Sequence, residues 1–114
     1  MRNGKGRKAN GSMRIIRLMA GRISRRFHPE KIILFGSHAA GTAGPDSDAD
    51  LLVVINCRGS RREKAIEMDV AVSDFGMAKD IIVTTPRDYE WRRRVPGTIE
   101  RPASLEGIVL YERG

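Results

Sequence analysis

A chain of 114 residues is one domain's worth of polypeptide, enough to bury a core but without room for a second domain. Its 40% hydrophobic and 31% charged residues are the balance of a globular protein. With no run of about 18 apolar residues and no signal-peptide pattern, a membrane protein is not expected and the cytoplasm is. The net charge of +7 is unevenly placed: ten Lys or Arg against Glu30 put +9 on residues 1–35 and leave −2 on the rest.

Met1 to Gly11 holds glycines, asparagines and cations with nothing to pack, so a disordered basic tail is expected there, ahead of a domain spanning 12–114. Ser12 then suits the cap of a helix reaching Phe27, because Ile15, Ile16, Met19, Ile23 and Phe27 recur at steps of three and four. Arg14, Arg17 and Arg25 fall on the other face. His28-Pro29 ends the helix, since the residue before a proline avoids helical geometry. The bland reading of these cations is a solvated face or a protein-binding one. Nucleic-acid binding is the less favoured alternative, because no aromatic residues are interleaved for stacking.

Ile32-Ile33-Leu34-Phe35 and Leu51-Leu52-Val53-Val54-Ile55 are short apolar runs bounded by Gly, Pro or charge, the pattern of buried strands. The loop between them opens on Gly36-Ser37, a backbone that can approach a phosphate closely and a hydroxyl that can donate to it. His38-Ala39-Ala40-Gly41 suits one short helical turn whose N-terminus faces the same ligand. Within this loop His38 and Ser47 are further candidate nucleotide contacts, although His38 equally suits a solvent-facing position. The loop closes on Asp48-Ala49-Asp50 at a strand start. Side chains alternate along a strand, so both carboxylates point one way and repel one another unless a cation lies between them. Mg²⁺ is the cation expected, since it takes hard oxygen ligands from one or two carboxylates and from substrate phosphates.

Further on, Cys57 follows the second strand and reads as a packed strand-end residue; one cysteine alone makes no internal disulfide and agrees with a reducing compartment. Ser60-Arg61-Arg62-Glu63 is a capping box that starts a second helix, with Ala65, Met68, Val72 and Phe75 as its apolar stripe and Gly76 as its stop. Asp69 and Asp74 are expected to be exposed on it. Asp80 differs, because it heads the strand-like run Asp80-Ile81-Ile82-Val83-Thr84. By itself Asp80 reads equally well as an ordinary strand-start residue. Thr85-Pro86-Arg87-Asp88 starts another helix, expected to carry Tyr89, Trp91 and Arg92-Arg93-Arg94 as far as Pro96-Gly97, with Trp91 packed back on the sheet. After a short helix near Pro102, Ile108-Val109-Leu110 forms a last strand. The sum is an α/β fold, a small mixed sheet flanked by helices.

Gly-Ser, ten residues, then Asp-x-Asp, between two apolar strands, resembles the signature of the minimal nucleotidyltransferases of the DNA-polymerase-beta-like superfamily. The likeness spans residues 12 to 112 and narrows the expected architecture to a single-domain nucleotidyltransferase fold. It implies that Asp80 joins Asp48 and Asp50 in a catalytic site for two Mg²⁺ ions, and that Gly36 and Ser37 hold the β- and γ-phosphates of ATP. It further implies transfer of AMP to an acceptor hydroxyl. Small members resemble antitoxins paired with HEPN-type toxins, some of which are adenylylated on a tyrosine, so such a toxin is the implied partner. One position departs from the pattern: many members have Arg where this chain has Ala40. That loss of a bidentate phosphate ligand favours an alternative, an antitoxin that neutralises its partner by binding alone.

Overall fold

The computed structural model describes residues 2–114, with side chains from residue 11 onward. The first helix, α1 (Arg2–Phe27), begins well before the expected cap, so Ser12 lies inside it and the segment expected to be disordered is helical from Arg2. Gly4, Gly6 and Gly11 oppose a helix here, but extending one already nucleated by its packed half is far easier than starting one. At its other end α1 closes as expected: His28 takes a positive φ of 54° before Pro29, and its N–H still donates to the Ser24 carbonyl at 3.1 Å.

Four strands form one mixed sheet in the order β3-β2-β1-β4. They are β1 (Lys31–Phe35), β2 (Ala49–Val54), β3 (Lys79–Thr84) and β4 (Ile108–Glu112). β1 runs antiparallel to both β2 and β4, whereas β2 and β3 are parallel and require the crossover helix α3 (Arg61–Ala71). The Ser60 hydroxyl accepts from the Glu63 N–H at 3.1 Å, as the capping box demands. α3 stops sooner than expected, at Ala71; a 3₁₀ turn over Ser73–Phe75 carries the chain to Gly76, whose φ is 70°. Val72 is fully buried there, so the packed stripe continues although the α-helical hydrogen bonding does not.

Helices cover both faces. On one, Ile16, Met19 and Ile23 of α1 and Met68 of α3 meet Ile32, Leu34, Leu51, Val53, Ile81 and Val83. On the other, Tyr89 of α4 (Pro86–Arg92) and Ala103 of α5 (Glu100–Glu106) cover Ile33, Leu52 and Val54. The alternation of burial along the strands thus sets Ala49, at 0% exposure, into the first core, and turns Asp50 and Asp80 to the α4/α5 side. α4 keeps the expected Thr85 cap, whose hydroxyl accepts from the Asp88 N–H at 3.2 Å, but ends at Arg92 instead of reaching Pro96. Trp91 does not pack on the sheet. It is 52% exposed, its indole N–H donating to Asp88 at 3.2 Å. The arginines beside it are engaged: Arg92 pairs with buried Glu100 at 3.0 Å, and Arg93 and Arg94 with Glu90 at 2.9 and 3.3 Å. Glu100 also accepts from the Thr84 hydroxyl at 2.8 Å, so one buried carboxylate ties β3, α4 and α5 together.

The seat of α5 on the sheet is set by Gly107. A Cβ there would stand 2.3 Å from the Ala103 carbonyl oxygen, 2.5 Å from Ile33 Cγ2 and 2.9 Å from the Leu34 carbonyl oxygen. Its φ of −78° suits any residue, so the constraint is packing alone. Gly107→Ala is therefore expected to lower stability by about 3 kcal/mol, measured by denaturant unfolding, because neither carbonyl can yield without moving backbone. Among the described residues no helix is long and apolar enough to cross a membrane.

Candidate active site

Strand register builds the site. β1 sets Phe35 opposite Asp50, and β3 sets Asp80 beside Asp50 in the parallel ladder, so the end of β1 and the starts of β2 and β3 meet. Gly36, directly after β1, has φ 75° and ψ −154°, a conformation open in practice only to glycine. A Cβ at Gly36 would come within 2.3 Å of Asp50 Oδ2, so the absence of a side chain is what lets that carboxyl lie against the loop backbone. Asp48 and Asp80 are exposed at the open end of the same sheet, with Asp50 partly covered between them.

That arrangement shows in the acidity of Asp50. Burial raises its pKa above the ordinary 3.8, and the neighbouring charges of Asp80 and then Asp48 raise it further, against a smaller opposing effect of His38. The two flanking carboxylates thus act on the middle one as like charges.

The intervening loop is braced by its own polar groups. α2 (Ser37–Ala40) forms the expected short turn and is closed by Gly41 at φ 78°. The Thr42 N–H donates to the Ser37 carbonyl at 3.0 Å. The Ser47 hydroxyl accepts from the Gly44 N–H at 2.9 Å, and His38 Nε2 donates to the Ser47 carbonyl at 3.0 Å. His38 and Ser47 are therefore joined to each other across the loop, an arrangement that fixes where Asp48 begins. Ser37 lines a cavity of about 400 Å³ with Phe35, Gly36, Ala40, Thr42, Pro102 and Glu106. The wall from α5 was not foreseeable from local sequence, because its position follows from the close contact at Gly107.

Three aspartates supply hard oxygens suited to Mg²⁺, and the mutual repulsion felt at Asp50 is what a divalent cation relieves. Among the described residues no three carboxylates, imidazoles or thiols make a ready-made metal cage. The donor set fits an ion whose remaining ligands come from a substrate's phosphates and water.

Proteins of known structure share this fold, although no curated protein matches the chain at a significant level. Among solved structures, a toxin–antitoxin crystallised with AMP-PNP superposes with a TM-score of 0.57 at 21% identity, over 85% of this chain and 73% of the other. A protein of Sulfolobus solfataricus designated a nucleotidyltransferase superposes with a TM-score of 0.57 at 20% identity, over 92% of this chain and 84% of the other. At those identities the likeness is one of fold. The model of the nucleotidyltransferase domain family, however, matches residues 16–105, which hold the Gly-Ser loop, all three aspartates and the helices over both sheet faces, and so the chain belongs to the nucleotidyltransferase domain family.

Proposed function

We propose that this protein moves AMP from ATP onto a hydroxyl of a partner protein, a tyrosine of an HEPN-type toxin, and so acts as that toxin's antitoxin. The observation that carries the chemistry is the carboxyl of Asp50 seated on the bare backbone of Gly36 with Asp80 in register beside it. This joins a phosphate-binding loop to an acidic centre within one strand end. The toxin context is supported by the toxin–antitoxin neighbour, whose bound AMP-PNP also makes ATP the natural donor.

In this reading Gly36 and Ser37 hold the β- and γ-phosphates through backbone N–H groups and a hydroxyl, with the nucleotide extending along the cavity toward Glu106. His38 and Ser47 keep the loop closed over the phosphates. Asp48, Asp50 and Asp80 would hold two Mg²⁺ ions, which when bound neutralise the phosphates and acidify the acceptor hydroxyl. The acceptor oxygen attacks the α-phosphorus, its bond forming as the bond to the pyrophosphate oxygen breaks in line. The carboxylate of Asp80, at the solvent-open side of the site, receives the proton.

Intact mass of the partner, incubated with this protein, ATP and Mg²⁺, tests the proposal. A gain of about 329 Da or its multiples is expected, the mass of an added AMP unit, as nucleotidyl transfer requires. The Asp48→Asn variant should give no gain while keeping its fold. Ala40 favours a second reading. It is exposed on the cavity wall where the family resemblance implies an arginine, and in that reading a guanidinium that would grip the triphosphate is missing. Neutralisation of the toxin with no mass gain would establish binding alone, and transfer restored by Ala40→Arg would trace the loss to that side chain.

A further inference from the structure

Helix α1 contains nine Lys or Arg and no Asp or Glu. Its inward side is occupied by Ile16, Met19, Ala20 and Ile23, all buried, while Arg14, Arg17, Arg25 and Arg26 stand exposed on the outside. At 3.6 residues per turn, Arg14, Arg17 and Arg25 fall within an arc of about 80°, with Gly21 inside it and Leu18 at its edge. Arg22 lies beyond this arc and is already engaged, paired with Asp74 and stacked 4.4 Å from the Phe75 ring centroid. Among the described residues, none of Arg14, Arg17, Arg25 and Arg26 takes part in an ion pair. This differs from α4, whose arginines are matched by Glu90 and Glu100.

We infer that this face of α1 binds the phosphate backbone of double-helical nucleic acid without reading its sequence. The charge is of one sign over the whole helix, which an ordinary solvated face is not. The described cations are all guanidinium groups, whose planar forks match phosphate oxygens two at a time. Arg14 and Arg25 lie about 16 Å apart along the axis, a length over which one strand of a duplex presents about five phosphates. An acidic protein would be the other complement, but the face carries a single large exposed apolar residue, Leu18, and so lacks the apolar centre of a protein interface. Single strands are disfavoured because stacking platforms are absent: the helix's one aromatic, Phe27, packs against the core. The face shares no residue with the site of Asp48, Asp50 and Asp80, so it stands independently of the proposed transfer reaction.

The test is fluorescence anisotropy with a labelled mixed-sequence duplex of about 20 base pairs, in Mg²⁺-free buffer between about 50 and 200 mM KCl. Micromolar binding is expected at the lowest salt. The slope of log K against log salt should become shallower by about 2.7 in the Arg14→Gln/Arg17→Gln/Arg25→Gln variant, about 0.9 for each phosphate that is no longer neutralised. That variant should keep its far-UV spectrum, since all three side chains are exposed, and Asp50→Asn should bind the duplex as the parent does. If the triple variant melts early, Arg14→Gln alone with its change of about 0.9 decides the matter. An unchanged slope overturns the inference, as does tighter binding to the single strand. Failure to bind the duplex at low salt, with retention on polyglutamate, overturns it too and assigns the face to an acidic protein.

Discussion

Asp50→Asn should cut nucleotidyl transfer by at least about a thousandfold, roughly 4 kcal/mol of transition-state stabilisation, and yet leave the protein more stable than the parent. The stability gain follows from the sign of the shift at Asp50. Folding raises its pKa above 3.8 through burial and the charges of Asp80 and Asp48. The folded state therefore favours the protonated carboxyl. Below the ordinary value the group is neutral in both states and imposes nothing. As pH rises through the raised folded value, the folded protein must carry an ion it disfavours, and stability falls. An amide at this position removes that cost, so the variant should be more stable than the parent at neutral pH in EDTA and equal to it in acid. Millimolar Mg²⁺ should reverse the order, because a cation that binds the folded parent stabilises it by mass action while the variant has lost a ligand. Thermal melts of the two proteins at two pH values, with and without Mg²⁺, check all of this without a transfer assay. A parent that is more stable than the variant in EDTA would show that the three carboxylates do not strain one another.

Gly36→Ala should be damaging for two separable reasons. The backbone at φ 75° and ψ −154° costs a side-chain-bearing residue about 1–3 kcal/mol. The added methyl would also come within 2.3 Å of Asp50 Oδ2 and force that carboxyl off its seat. Displacing a reacting group by about 1 Å is enough to slow transfer about a hundredfold. A double-mutant cycle separates the two effects. In an Asp50→Ala background there is no carboxyl to collide with, so Gly36→Ala should there carry only the backbone penalty. Equal stability losses in both backgrounds would show that the contact between Gly36 and Asp50 is of no consequence.

Local sequence was sufficient wherever one residue's chemistry dictates its own surroundings. The strand runs, the caps at Ser60 and Thr85, the break at His28-Pro29 and the turn after Gly36 all follow from side-chain period, hydrogen-bonding groups and glycine's freedom. Where the sequence failed locally, competition with packing was the reason. α3 gives way to a 3₁₀ turn while Val72 stays buried, and Trp91 remains outside because it lies about 200° round α4 from Tyr89, which is the residue buried on the sheet. Three features belong to the tertiary structure alone, since each joins residues far apart in the chain. They are the register that sets Asp80 beside Asp50, the approach of Asp50 to Gly36, and the seat of α5 at Gly107 that walls the cavity with Pro102 and Glu106. The amino-acid sequence determined which groups are available for phosphate and metal chemistry; only the parallel pairing of two strands, fixed by burial of Leu51, Val53, Ile81 and Val83 in one core, decided that they meet.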